Sequence, residues 1–170
     1  MSDDDPFEIA EIALTDGGRL GIARLPGRTG NLAEDVEAIA RWGANVVVSM
    51  TETSEMATHG AEGLSHELAR RGIAHHAFPV PDYGVPADRD TRWSPLSESL
   101  RENLKQGGAV LLHCLGGKGR SGMVAARLMA EQGVKPADAL ARVRAARSGA
   151  VETDAQAAWA ASGCKDGDET

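Results

Sequence analysis

The stretch Ala109–Gly122, AVLLHCLGGKGRSG, limits the possible folds more than any other part of this 170-residue chain. Its apolar start reads as a strand, the glycines after Cys114 read as a loop, and a helix is predicted from about Ser121. Strand, loop and helix in direct succession are the repeating unit of an α/β layer protein. The remaining sequence has the same alternation. Strands are predicted at Ile9–Leu14, Leu20–Arg24, Asn45–Met50, Ile73–Phe78 and Ala109–His113. A helix is expected after Asn31, with Asn31 as its cap and Glu34 completing a capping box. Others are expected at about 61–71, at 94–106 with Ser94 capping and Pro95 in the first turn, at 121–132, from Pro136, and after Thr153. The pattern predicts a mainly parallel central sheet, and ligands of such sheets sit beyond the carboxyl ends of the strands. The glycine-rich loop lies at such an end.

Three kinds of glycine-rich loop compete there. A Walker-type loop needs a glycine, four intervening residues and then Gly-Lys-Ser/Thr, but Leu112 stands at the first glycine's position and Gly119 follows Lys118. A dinucleotide fingerprint matches Gly117-Lys-Gly-Arg-Ser-Gly122 literally, yet it requires a second parallel strand after the helix. Here Pro136 and another helix follow. The third reading uses every unusual residue. Cys114 and Arg120, with five residues between them, frame a cradle in which the backbone N–H groups of Leu115, Gly116, Gly117, Lys118, Gly119 and Arg120 surround an oxyanion. The following helix directs its positive end into the same space. Arg120 grips two oxygens with its planar fork. The thiolate is the reactive form of cysteine, so Cys114 is the expected nucleophile. His113 and Ser121 flank the loop, and the Ser121 hydroxyl is suited to hydrogen-bond the departing sulfur. A lone cysteine is more often a small buried hydrophobe; its neighbours argue otherwise.

Thiolate attack on a phosphomonoester expels an alkoxide or phenoxide, which calls for a general acid. The segment Phe78-Pro-Val-Pro-Asp-Tyr-Gly-Val-Pro86 leaves a predicted strand and carries Asp82 between Pro81 and Pro86. Asp88 and Asp90 are nearby rivals, and many loop aspartates serve only their turns.

Charge and cysteine count limit the partners. A net charge of −7 argues against nucleic acid and anionic lipid surfaces. Two cysteines, Cys114 and Cys164, cannot form a disulfide framework, and no zinc-like pair is present. No apolar run reaches the length of a membrane span, and the acidic start is unlike a signal peptide. The expectation is a soluble cytoplasmic protein with one domain over residues 8–163, between acidic disordered tails at 1–7 and 164–170. His75 and His76 alternate along a strand, so one is expected to face inward. Trp42, Trp93 and Trp159 are expected to pack within the fold.

The signature His113-Cys-Leu-Gly-Gly-Lys-Gly-Arg-Ser-Gly122 resembles that of cysteine-dependent protein tyrosine and dual-specificity phosphatases. Val80-Pro-Asp82 is similar to their acid loop. Leu20–Gly27, His75-His76 and Val143–Thr153 most resemble the branch of cyclin-dependent-kinase-associated phosphatases. The resemblance spans about residues 17 to 160. It implies an α/β fold with a sheet of four to five strands flanked by helices, no cofactor or metal, and a two-step reaction through phosphocysteine. It further implies that Cys114 is the nucleophile, Arg120 the phosphate clamp and Asp82 the acid and base. Gln156 falls near a water-positioning glutamine of some relatives; the alternative is a solvated helix residue. Ser148 replaces a proline common among relatives. Lys118 also occurs in phosphoinositide-cleaving relatives, but Leu115 stands where they add a second basic residue. The implied substrate is therefore a phosphorylated protein, phosphotyrosine first and phosphoserine or phosphothreonine besides. Two other readings stay open: an arsenate reductase or sulfur transferase built on the same loop, and a phosphoprotein-binding module without chemistry.

Overall fold

A computed structural model describes residues 6–163. Cys164 and the predicted tails, apart from Pro6 and Phe7, lie outside the described residues. All five residues of β5 (Ala109–His113) are buried. The reason is position, because β5 is the middle strand of a five-stranded sheet ordered β1-β2-β5-β3-β4. Parallel neighbours β2 (Arg19–Ala23) and β3 (Val46–Ser49) flank it. Beyond β3 lies β4 (Ala74–Ala77), also parallel, while β1 (Ala10–Ala13) closes the far edge antiparallel to β2. The sheet is thus α/β and mostly parallel, as expected. β1, β3 and β4 fall within their predicted ranges, each shorter by one residue at both ends, β5 matches its range, and β2 is shifted one residue earlier than predicted.

Alternation along the strands divides the core into two layers. Val46, Val48, Val110 and Leu112 meet one apolar cluster. It is completed by α4 (Trp93–Lys105), α5 (Gly119–Glu131), α6 (Pro136–Ala146) and α7 (Asp154–Ala161). Val47 and Leu111 face the opposite cluster, built from α1 (Leu32–Trp42) and α3 (Leu64–Arg70). The three tryptophans pack as expected. Trp93 lies 5.1 Å from Trp159, ring to ring, and Trp42 sits under the Arg19 guanidinium.

Several helix expectations need correction. Asn31 precedes α1 but makes no capping hydrogen bond through its side chain. Helix α4 starts at Trp93, so Ser94 lies inside the first turn and does not cap. Trp93 is buried and its indole N–H donates to Glu131, which draws the start of the helix forward. Pro95 is tolerated because first-turn N–H groups lack helical partners. The segment predicted as helix at 61–71 is helical only over α3, and α2 (Thr53–Thr58) had not been expected. Thr153 does cap α7, accepting from the Gln156 N–H at 3.0 Å.

Candidate active site

Cys114 follows β5 directly, and α5 begins five residues later. Its sulfur lies 3.3 Å from the Ser121 hydroxyl, in the first turn of α5. The backbone N–H groups of residues 115–120 donate to no acceptor among the described residues. Their carbonyls, by contrast, are engaged from outside the loop. The Leu115 carbonyl accepts from the Leu25 N–H and from Arg28 at 3.0 Å. Arg147 donates to the Gly116 carbonyl at 3.0 Å and to that of Gly117 at 3.1 Å. The Lys118 carbonyl accepts from the Gly122 and Val151 N–H groups. Holding the acceptors outward leaves the donors to converge. Gly117 makes the turn possible, since its φ is +71° and a Cβ there would lie 2.6 Å from the Ala23–Arg24 backbone.

Arg120 is 1% exposed, although it is among the largest side chains of the chain. Glu55 of α2 takes its fork bidentately, at 2.6 and 2.8 Å. The Val80 carbonyl accepts at 2.9 Å and the Met50 carbonyl at 3.3 Å. The remaining donor, Nε, is buried without a partner among the described residues. Burial disfavours the Glu55 carboxylate, but hydrogen bonds from Arg120 and the Glu52 backbone outweigh it and hold the pKa of Glu55 below its ordinary range.

The Asp82 carboxylate stands 3.3 Å from Arg120 Nη2, at the end of the loop that leaves β4. It is half-exposed, and it accepts the Tyr83 N–H at 3.0 Å. Its rival Asp90 is clamped by Arg92 at 2.5–3.2 Å, with a lowered pKa due chiefly to that pairing. Asp88 is exposed beside α7.

Gln156 is fully buried, which overturns the solvated alternative. Its amide oxygen accepts the Glu152 and Thr153 N–H groups, and its Nε2 donates to the Gly84 carbonyl at 3.2 Å. It therefore links the start of α7 to the loop of Asp82. His113 is fully buried under the cradle, and burial pushes its pKa down to about 4. Its Nδ1 lies 3.2 Å from the Cys114 carbonyl, and its Nε2 lies 2.5 Å from Ser49 Oγ. Of the two adjacent histidines, His75 is half-buried and His76 exposed.

The chain folds so that Cys114, Arg120, Ser121, His113 and the loop amides form one site, with Asp82 at its rim and Gln156 behind Asp82. Sequence reasoning missed Glu55, because α2 itself was missed and nothing in the sequence ties it to a residue 65 positions away. Arg147 offered a weak signal, in the arginines 142, 144 and 147 of one segment. No group of three or more His, Cys, Asp or Glu side chains among the described residues is arranged to hold a metal ion.

Residues 25–162 match a family model described as PTP-SAK, Swiss Army Knife protein, DSP-PTPase phosphatase domain. The chain is 32% identical over 142 residues to cyclin-dependent kinase inhibitor 3 of Rattus norvegicus and 30% identical over 142 residues to that of Homo sapiens. Each match covers 79% of this chain and 66% of the relative, just under two thirds. A crystal structure of kinase-associated phosphatase, its catalytic-site cysteine replaced by serine, is similar with a TM-score of 0.80 and 27% identity. That likeness covers 92% of this chain and 93% of the other. The active form of Tk-PTP is similar with a TM-score of 0.67 and 30% identity, over 82% and 87% of the two chains.

Proposed function

Because this chain belongs to the protein tyrosine and dual-specificity phosphatase family, we propose that it hydrolyses phosphomonoesters on proteins through a phosphocysteine intermediate. In the first step the Cys114 thiolate attacks phosphorus. The sulfur–phosphorus bond forms as the ester P–O bond breaks, and the Asp82 carboxyl group gives its proton to the leaving oxygen. In the second step the Asp82 carboxylate takes a proton from water, the water oxygen bonds to phosphorus, and the sulfur leaves while hydrogen-bonded by Ser121. Arg120 and the amides of residues 115–120 hold the equatorial oxygens throughout. His113 supports the loop from below, and Gln156 supports the Asp82 segment from α7. Phosphotyrosine is the proposed preferred group, with phosphoserine and phosphothreonine also accepted.

One observation carries the reading. Beside a cysteine sulfur lie six backbone N–H groups and one N–H of a buried guanidinium that find no acceptor among the described residues. That donor set fits a tetrahedral oxyanion. The proximity of Asp82 to Arg120 favours a phosphatase over the arsenate reductase or sulfur transferase, neither of which needs that acid.

The test is an aryl phosphate assay without added metal, followed by a panel of phosphopeptides and phosphoinositides with Asp82→Ala as the trapping variant. Vanadate should inhibit, Cys114→Ser should reduce turnover to background, and Asp82→Asn should lower kcat by about 10²–10⁴-fold on a poor leaving group. Full activity in the serine variant would refute the mechanism. An unaffected Asp82→Asn together with thiol-dependent arsenate reduction would favour the reductase. Phosphopeptide binding without hydrolysis would favour the binding module.

A further inference from the structure

Three polar side chains lie in one row beneath the cradle, and the reaction proposed above draws on only one of them. Strand register builds the row. Ser49 of β3 is paired with His113 of β5, while Val47 of β3 is paired with both Leu111 of β5 and His75 of β4. Paired residues share a face of the sheet, and so do residues two apart on a strand. His113, Ser49 and His75 therefore stand on the face of Leu111 and Val47. The distances close the chain: Ser49 Oγ lies 2.5 Å from His113 Nε2 and 2.7 Å from His75 Nε2, and His113 Nδ1 lies 3.2 Å from the Cys114 carbonyl.

Each proton in this chain can be assigned. A carbonyl oxygen only accepts, so His113 carries a proton on Nδ1. Full burial removes the water that would stabilise an imidazolium, and the ring is neutral near pH 7. Its Nε2 is then a lone pair, and the Ser49 hydroxyl must donate to it. With that proton committed, Ser49 Oγ can only accept from His75, whose Nε2 bears a proton. With a neutral His113, no other assignment gives all three contacts a donor and an acceptor.

We propose that Ser49 and His75 are positioning residues that hold His113 as its Nδ1–H tautomer, and that this tautomer aims the first amide of the cradle. The geometry of the peptide supplies the link. The peptide between Cys114 and Leu115 is trans, and in a trans peptide the C=O and N–H point in opposite directions. The Nδ1–H of His113 draws the Cys114 carbonyl to one side, which directs the Leu115 N–H to the other. Without the Ser49 hydroxyl, the His113 proton can move to Nε2. The Nδ1 lone pair then faces a carbonyl oxygen, the two repel, and the peptide turns. The proposal rests on the phosphatase reading only where it predicts rates.

The tautomers can be read without substrate, by long-range proton–nitrogen NMR of the imidazole rings at pH 7. The wild-type chain should show His113 protonated at Nδ1 and His75 at Nε2. In Ser49→Ala the His113 proton should move wholly or partly to Nε2, and kcat on an aryl phosphate should fall about tenfold with KM within about twofold. His75 is half-buried, so its variants test the same chain with less risk to folding. His75→Gln keeps an N–H donor and should retain both tautomer and rate, whereas His75→Phe should move toward the Ser49→Ala behaviour. A wild-type His113 protonated at Nε2, a Ser49→Ala variant with unchanged tautomer and kcat, or identical results for His75→Gln and His75→Phe would each overturn the proposal. Expected spectra from a chain that hydrolyses nothing would overturn the phosphatase reading and leave the positioning chain supported.

Discussion

A single buried guanidinium shows how much one residue identity decides. Arg120 meets Glu55 with both Nη atoms and keeps Nε for another acceptor. Lysine has the charge but not the fork. Arg120→Lys should therefore lower kcat/KM by about 100-fold or more and weaken vanadate inhibition in parallel, measured by steady-state kinetics. His113 gives a second prediction at this scale, on stability. Its pKa is about 4 in the fold and near 6.5 when unfolded. Between those values the unfolded chain binds more protons, so the contribution is fully present above about pH 6.5 and is lost as the pH falls toward 4. It amounts to about 3 kcal/mol. Urea unfolding from pH 7 to 4 should show the loss, and His113→Asn should flatten the profile. Glu55, with its lowered pKa, adds a further loss in more acidic solution. Cys114, Arg120 and His113 were legible in the sequence because all lie in one short motif. The role of Ser49 was not, because it depends on two strands pairing in register.

Elements hold these residues in place, and the shortest matters most. Helix α2 has six residues, too few for a helix to persist on its own. Its Glu55 binds Arg120 across the site, so the ion pair and the helix should stabilise one another. Glu55→Gln should speed hydrogen exchange at the α2 amides, leave those of β5 unaffected, and lower kcat/KM by about tenfold. The same brevity explains why the sequence did not reveal α2, whose few residues show no helical periodicity. The longer α1, α4, α5 and α6 were legible from apolar spacing and proline. The starts of α1 and α6 were legible too, whereas those of α4 and α5 were not, because Trp93 and the cradle backbone set them through tertiary contacts rather than side-chain caps.

At the scale of the whole molecule, the layered α/β architecture followed from the alternation of strands and helices, but the strand order did not. Nothing local in the chain says that β5 lies between β2 and β3; the pairing of strands far apart in sequence decides it. Leu111 at the centre of that strand is fully buried, so Leu111→Ala should cost about 2–5 kcal/mol in chemical denaturation. Tyr83, 62% exposed next to Asp82, should change stability by less than about 0.5 kcal/mol when replaced by alanine. Distance along the chain is likewise a poor guide to dependence. Gly84 and Gln156 are 72 residues apart, yet one amide joins them. The segment bearing Asp82 is thus fastened to the last helix by that bond and to Arg120 by an ion pair. Gln156→Glu keeps an oxygen for the Glu152 and Thr153 N–H groups but removes the donor to Gly84. The reacting groups stay intact while the segment loses that fastening, so kcat on a poor leaving group should fall with KM nearly unchanged, measured by steady-state kinetics. The tempo of the reaction would then be governed from the far end of the chain.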